Sequence, residues 1–177
     1  MALKLIFMGT PEFSLPTLES LENSEHEILA IYSQPASKAN RGQKIIPSSI
    51  EAFAKEKSLS IRTPAKLDTD EEYNFLKNLK PDIVIVIAYG RVIPKRFLGL
   101  AKYGFINVHA SLLPKWRGAA PIQRSIMNLD SETGISIMKI VEELDSGPVM
   151  HRDKIKINEN IDGLTLSKVL SKLGAKS

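Results

Sequence analysis

Apolar residues in this chain fall into short blocks separated by stretches of helical periodicity. Leu3 to Met8 is apolar except at Lys4, which predicts a buried strand. Gly9-Thr10-Pro11-Glu12 then reads as a helix start. Thr10 suits the N-cap, Pro11 the first helical position, and Glu12 the positive helix end. Phe13, Leu15, Leu18 and Leu21 follow on one helical face, and Ile28 to Tyr32 predicts a second strand. The chain therefore opens β-α-β, with a crossover of the length that joins parallel strands. Ser33 to Ser48 breaks the rhythm. It is polar, basic and aperiodic, and reads as a long loop of the kind that is functional or disordered.

Beyond it, Ile50 to Lys57 predicts a helix capped by Ser48 or Ser49, Ser60 to Arg62 a short strand, and Asp70 to Leu79 a helix. Asp82 to Ala88 is the clearest strand, β-branched and apolar on both faces, as in the centre of a parallel sheet. Tyr89-Gly90-Arg91 makes a turn at its carboxyl end. Strands are further predicted at Phe105–His109, Ile135–Ile140 and Val149–Ile157, and helices at Ala119–Asn128 and Asp162–Leu173, the last capped by Asp162. This alternation predicts a Rossmann-like α/β fold: a doubly wound, mostly parallel sheet with helices on both faces, and a site beyond the carboxyl ends of its strands.

Composition narrows the classes without choosing among them. The chain has 177 residues, 43% hydrophobic and 25% charged, which fits one soluble domain with a real core. It contains no cysteine, so disulfides and Cys-based metal or nucleophile chemistry are excluded. No stretch reaches the roughly 18 apolar residues of a membrane span. A net charge of +4 leans mildly toward anionic partners. At the first βα turn Gly9 stands alone where a dinucleotide site needs three glycines, and Pro11 and Glu12 oppose a pyrophosphate there.

Two places remain for chemistry. Asn107 and His109 end a predicted strand on one face, about 6.6 Å apart along it. Asp145 sits in Leu144-Asp-Ser-Gly-Pro148, between two later strands. Each has a plainer reading: His109 as a satisfied structural imidazole, Asp145 as a turn former. Taken together, an amide, an imidazole and a carboxylate suit transfer of a carbonyl group to an amine. Asn and His can donate to a developing oxyanion, while Asp or His accepts the proton that the amine sheds. Ser111 lacks the Gly-x-Ser-x-Gly elbow, so a direct, non-covalent transfer is expected. His26 and His151 lack metal-type spacing and read as surface or packing residues.

Phe105-Ile-Asn-Val-His-Ala-Ser-Leu-Leu-Pro114 followed by Arg117-Gly118, together with Leu144-Asp-Ser-Gly-Pro148, resembles the formyltransferase family that uses 10-formyltetrahydrofolate. The resemblance spans nearly the whole chain. It is closest to the members acting on initiator methionyl-tRNA, through Phe7-Met-Gly-Thr-Pro-Glu-Phe13, Gln34-Pro35 with Arg41-Gly42 and Pro47, and Ala88-Tyr-Gly-Arg-Val-Ile-Pro94. Glu143 stands where the family often has Gly. The resemblance implies Asn107, His109 and Asp145 as the catalytic set and 10-formyltetrahydrofolate as formyl donor, with no metal. It implies Ser111, Leu112, Leu113 and Pro114 as folate contacts, and Tyr89, Gly90, Ile93 and Leu144 as walls of the pterin pocket. Arg41, with Lys38 and Lys44, would meet tRNA, although a solvated basic flap is the plainer reading of that loop. Residues 1–177 are expected to be the catalytic domain, without the family's carboxyl-terminal β-barrel-type tRNA-binding domain, and to act as a cytoplasmic monomer off the membrane. Two alternatives stay open: a related formyltransferase acting on a sugar-nucleotide or glycinamide ribonucleotide amine, and a noncatalytic folate- or tRNA-binding module.

Overall fold

The computed structural model describes the backbone of residues 1–39 and 44–177, and the side chains of all of these except 38, 39, 44 and 45. Its centre is the pair of apolar strands β1 (Lys4–Gly9) and β6 (Ile83–Ile87), which run parallel. From β1 the sheet grows one way through β2 (Glu27–Tyr32) to β5 (Ile61–Arg62). From β6 it grows the other way through β7 (Phe105–His109), β8 (Glu132–Lys139) and β9 (Val149–Lys156). The first five of these strands are parallel. β8 and β9 are antiparallel to their neighbours and close the edge. The order thus reverses between β1 and β6, and a crevice opens at their carboxyl ends, where such sheets bind ligands.

Period-two alternation sorts the core into two layers. Leu5, Phe7, Ile85 and Ile87 face one side, where they pack with Leu18 of α1 (Leu15–Glu22), Ile50 of α2 (Ser49–Glu56), Ile122 of α4 (Pro121–Met127) and Leu166 and Leu170 of α5 (Gly163–Lys176). Ile6, Met8, Val84 and Val86 face the other side, against Leu76 of α3 (Asp70–Leu79) and Phe97. A strand buried on both faces needs apolar residues at every position, which is why β1 and β6 carry unbroken runs.

Ser48 and Asp162 cap their helices as expected, accepting from the backbone N–H of Glu51 and Thr165. Thr10 does not. The first helix opens as a short 3-10 turn at Glu12–Ser14 behind Pro11, and the Thr10 hydroxyl instead donates to the Tyr89 carbonyl. The stretch 33–48 is not wholly loop, since β3 (Ser37–Ala39) and β4 (Lys44–Ile46) pair antiparallel within it. Among the described residues no helix is long and apolar enough to cross a membrane.

Candidate active site

The turn after β6 is tied across the sheet reversal. The Tyr89 carbonyl accepts from Thr10 Oγ1 at 2.9 Å and from Gln34 Nε2 at 3.2 Å. Gln34 Oε1 accepts from Arg91 Nε at 2.8 Å. Gly90 lies at φ 81°, a left-handed turn conformation that glycine adopts without a Cβ penalty. The turn forms one wall of a cavity of about 810 Å³, within the range of small-molecule sites. The other walls come from Val86 and Asn107 on adjacent strands, the segment 118–123 at the start of α4, and the β8–β9 connection around Val141 and Leu144. Burial pushes the Tyr89 phenol up to about 12, so it stays neutral, and its hydroxyl has no partner among the described residues.

Asn107 and His109 both line this cavity, as their shared strand face requires, and Asp145 reaches it from the β8–β9 connection. The side chains of His109 and Asp145 are 7% and 12% exposed, and His109 Nδ1 stands 3.7 Å from Asp145 Oδ2. That separation is beyond a direct hydrogen bond but within ion-pair reach. His109 Nε2 lies 3.0 Å from the Trp116 carbonyl oxygen. A carbonyl only accepts, so Nε2 carries the hydrogen and Nδ1 is the nitrogen free to take up a proton beside Asp145. The Gly118 N–H donates to Asp145 Oδ2 at 2.8 Å. One short segment, residues 116–118, therefore holds both side chains.

Four of the expected folate-pocket residues, Tyr89, Gly90, Ile93 and Leu144, line the cavity. The other four do not. Ser111 is fully buried, its hydroxyl donated to the Lys115 carbonyl, and the Leu113 N–H donates to Ser136 Oγ. Leu112 packs where a Cβ on Gly134 would stand, and Pro114 is exposed away from the cavity. After His109 the chain turns toward β8 and fastens itself there, so these residues shape the loop and not the wall. Arg41 lies outside the described residues. Lys38 and Lys44 sit on β3 and β4, with side chains outside the description.

Sequence reasoning did not single out Phe13, Val86, Ile122, Met138, Val141 or Ser167, which also face the cavity. Of these, Val86 and Met138 flank Asn107 on the neighbouring strands, a register that the sequence does not state. His26 Nδ1 accepts from the Leu3 N–H, and His151 pairs with Asp153 at 3.1 Å on exposed β9. The His151 pair has a carboxylate partner that the sequence reading did not give it. No group of three or more metal-type side chains gathers among the described residues.

With this geometry in view, comparison with known proteins is direct. The family model described as formyl transferase matches residues 3–176. A methionyl-tRNA formyltransferase of Pelagibacter ubique is 56% identical over 177 residues, covering 99% of this chain and 57% of that protein. One from Prochlorococcus marinus is 48% identical over 175 residues, covering 98% of this chain and 53% of its own length. The chain thus spans a little over half the length of these curated relatives. Among solved structures, glycinamide ribonucleotide transformylase 1 from Geobacillus kaustophilus superposes with a TM-score of 0.81 at 16% identity, over 99% of this chain and 94% of that one. A formyltetrahydrofolate deformylase from Pseudomonas syringae gives 0.78 at 16% identity, over 99% and 58%. At such identities these two matches speak for the fold alone. The family match over residues 3–176 and the relatives near half identity do more: this chain belongs to the formyl transferase family.

Proposed function

We propose that this chain carries out transfer of the formyl group of 10-formyltetrahydrofolate to the amino group of initiator methionyl-tRNA, as a cytoplasmic monomer. The observation that carries the chemistry is the meeting of Asn107 and His109, from β7, with Asp145, from the β8–β9 connection, at one cavity. The identity of the accepting amine rests on the relatives named methionyl-tRNA formyltransferase.

The walls suit a flat pterin. Val86, Ile93, Ile122, Met138, Ile140 and Val141 are apolar, and the Tyr89–Arg91 backbone supplies a polar edge. The amine attacks the formyl carbon, and the new C–N bond leaves charge on the former carbonyl oxygen. The Asn107 amide, which makes no other side-chain hydrogen bond among the described residues, donates to that oxygen. His109 Nδ1 accepts the proton shed by the amine, with Asp145 beside it, and the imidazolium so formed adds positive charge near the oxyanion. The bond between the formyl carbon and the folate nitrogen then breaks, and that nitrogen receives the proton. Arg41, Lys38 and Lys44 are the residues proposed to meet the tRNA.

The test is formylation measured with methionyl-tRNA, glycinamide ribonucleotide and a sugar-nucleotide amine in parallel. His109→Ala should lower formylation of methionyl-tRNA by about 100-fold or more. Transfer to either of the other amines in preference to methionyl-tRNA, or an unimpaired His109→Ala, would defeat the reading.

A further inference from the structure

Asp130 lies outside the cavity, and its side chain is only 5% exposed. The end of α4 places it there. Leu129 adopts a left-handed φ of 53°, and the Asp130 N–H returns to the Ser125 carbonyl at 3.0 Å, the helix stop in which the chain turns sharply away. Both carboxylate oxygens are engaged. Oδ1 accepts from Lys115 Nζ at 2.8 Å and Asn128 Nδ2 at 2.7 Å, and Oδ2 accepts from the indole Nε1 of Trp116 at 2.7 Å. Burial opposes charge on this carboxyl, but the bonds from Lys115, Asn128 and Trp116 outweigh it and hold the carboxyl below its ordinary value.

Trp116 needs such an anchor. Its φ is 60°, a strained region for a bulky residue that persists only when its surroundings enforce it. Its carbonyl is the group that receives His109 Nε2, and two residues on the Gly118 N–H holds Asp145. We propose that Asp130 is a positioning residue: through the Trp116 indole it fixes the Trp116 carbonyl, and through that carbonyl it sets the tautomer and ring orientation of His109. The proposal rests on the reading of His109 as a catalytic residue.

Asp130→Asn is the discriminating variant. An amide has one accepting end, so it can serve Lys115 and Asn128 or serve the indole, but not both, and its NH₂ end then faces a donor. Trp116→Phe is the milder second variant. It keeps the ring and removes only the indole N–H. Nitrogen-15 NMR of the imidazoles reads the result without substrate, since the chain has three histidines and the His109 signals are assigned by their loss in His109→Asn.

The wild-type signals of neutral His109 should show hydrogen on Nε2 alone, and both variants should show a mixture of tautomers. In both, kcat for formyl transfer should fall by about tenfold or more, with KM for the formyl donor changed by less than about threefold, because groups that orient a reacting residue act on turnover more than on ground-state binding. Folded variants that keep the wild-type tautomer overturn the proposal. Should Asp130→Asn fail to fold, Trp116→Phe decides alone. A changed tautomer with unchanged turnover would overturn the catalytic reading of His109 while leaving the anchor standing.

Discussion

Gly147 shows how one missing side chain shapes the candidate site. It lies two residues after Asp145, and a Cβ there would stand 1.8 Å from the Lys139 carbonyl oxygen at the end of β8. The β8–β9 connection closes onto the strand only because nothing projects from that position. Asp145 itself holds a left-handed φ of 46°, so its carboxylate is aimed by backbone on both sides of it. Gly147→Ala must push the connection away from β8. We expect a loss of roughly 2 kcal/mol, the usual scale of overpacking against backbone, seen in denaturant unfolding. We also expect formyl-transfer activity to fall further than global stability explains, because Asp145 is displaced from His109. Wild-type activity in Gly147→Ala would show that the loop's path is not what places the carboxylate.

Among the elements, α3 couples helix start to sheet edge. Thr69 accepts from the Glu72 N–H, and Asp70, Glu71 and Glu72 fill the first turn, where the helix dipole favours negative charge. Glu72 is also buried, receiving Arg62 of β5 on both oxygens and the Tyr32 hydroxyl of β2 at 2.7 Å. Burial opposes its ionisation, but the hydrogen bonds from Arg62 and Tyr32 prevail and hold it below its ordinary value of 4.5. A carboxyl depressed in the folded state stabilises fully above its unfolded pKa, and that contribution is lost as pH falls through the folded one. Stability should therefore decline below about pH 4.5. Glu72→Gln should cost roughly 2 kcal/mol at pH 7, since it leaves Arg62 without its buried counter-charge. It should also flatten the acid limb of stability against pH. Parallel acid limbs for the two proteins would remove Glu72 from the account.

At the scale of the whole molecule, Gln34 joins the two halves of the sheet. It leaves the end of β2, accepts from Arg91 and donates to the Tyr89 carbonyl beyond β6. Gln34→Ala should raise KM for the formyl donor by about fivefold with kcat less affected, because it loosens a wall of the cavity and no reacting group. An unchanged KM would mean that the turn holds its shape unaided. The chain itself announced β1 and β6 as central strands, because burial on both faces demands unbroken apolar runs. It also announced the caps at Ser48 and Asp162, because a cap is a bond between residues three apart. Asn107 and His109 on one face follow from strand geometry. Local periodicity and local hydrogen bonds suffice for all of these. Three matters were decided only in three dimensions: that Thr10 serves Tyr89 and not its own helix, that Ser111, Leu112 and Leu113 fasten onto the loop and β8 and not onto the cavity, and that Trp116 stands between Asp130 and His109. Each depends on which of several competent polar partners is nearest once the sheet order reverses. Partner choice across as many as 79 residues of chain is a property of packing, which no local pattern carries.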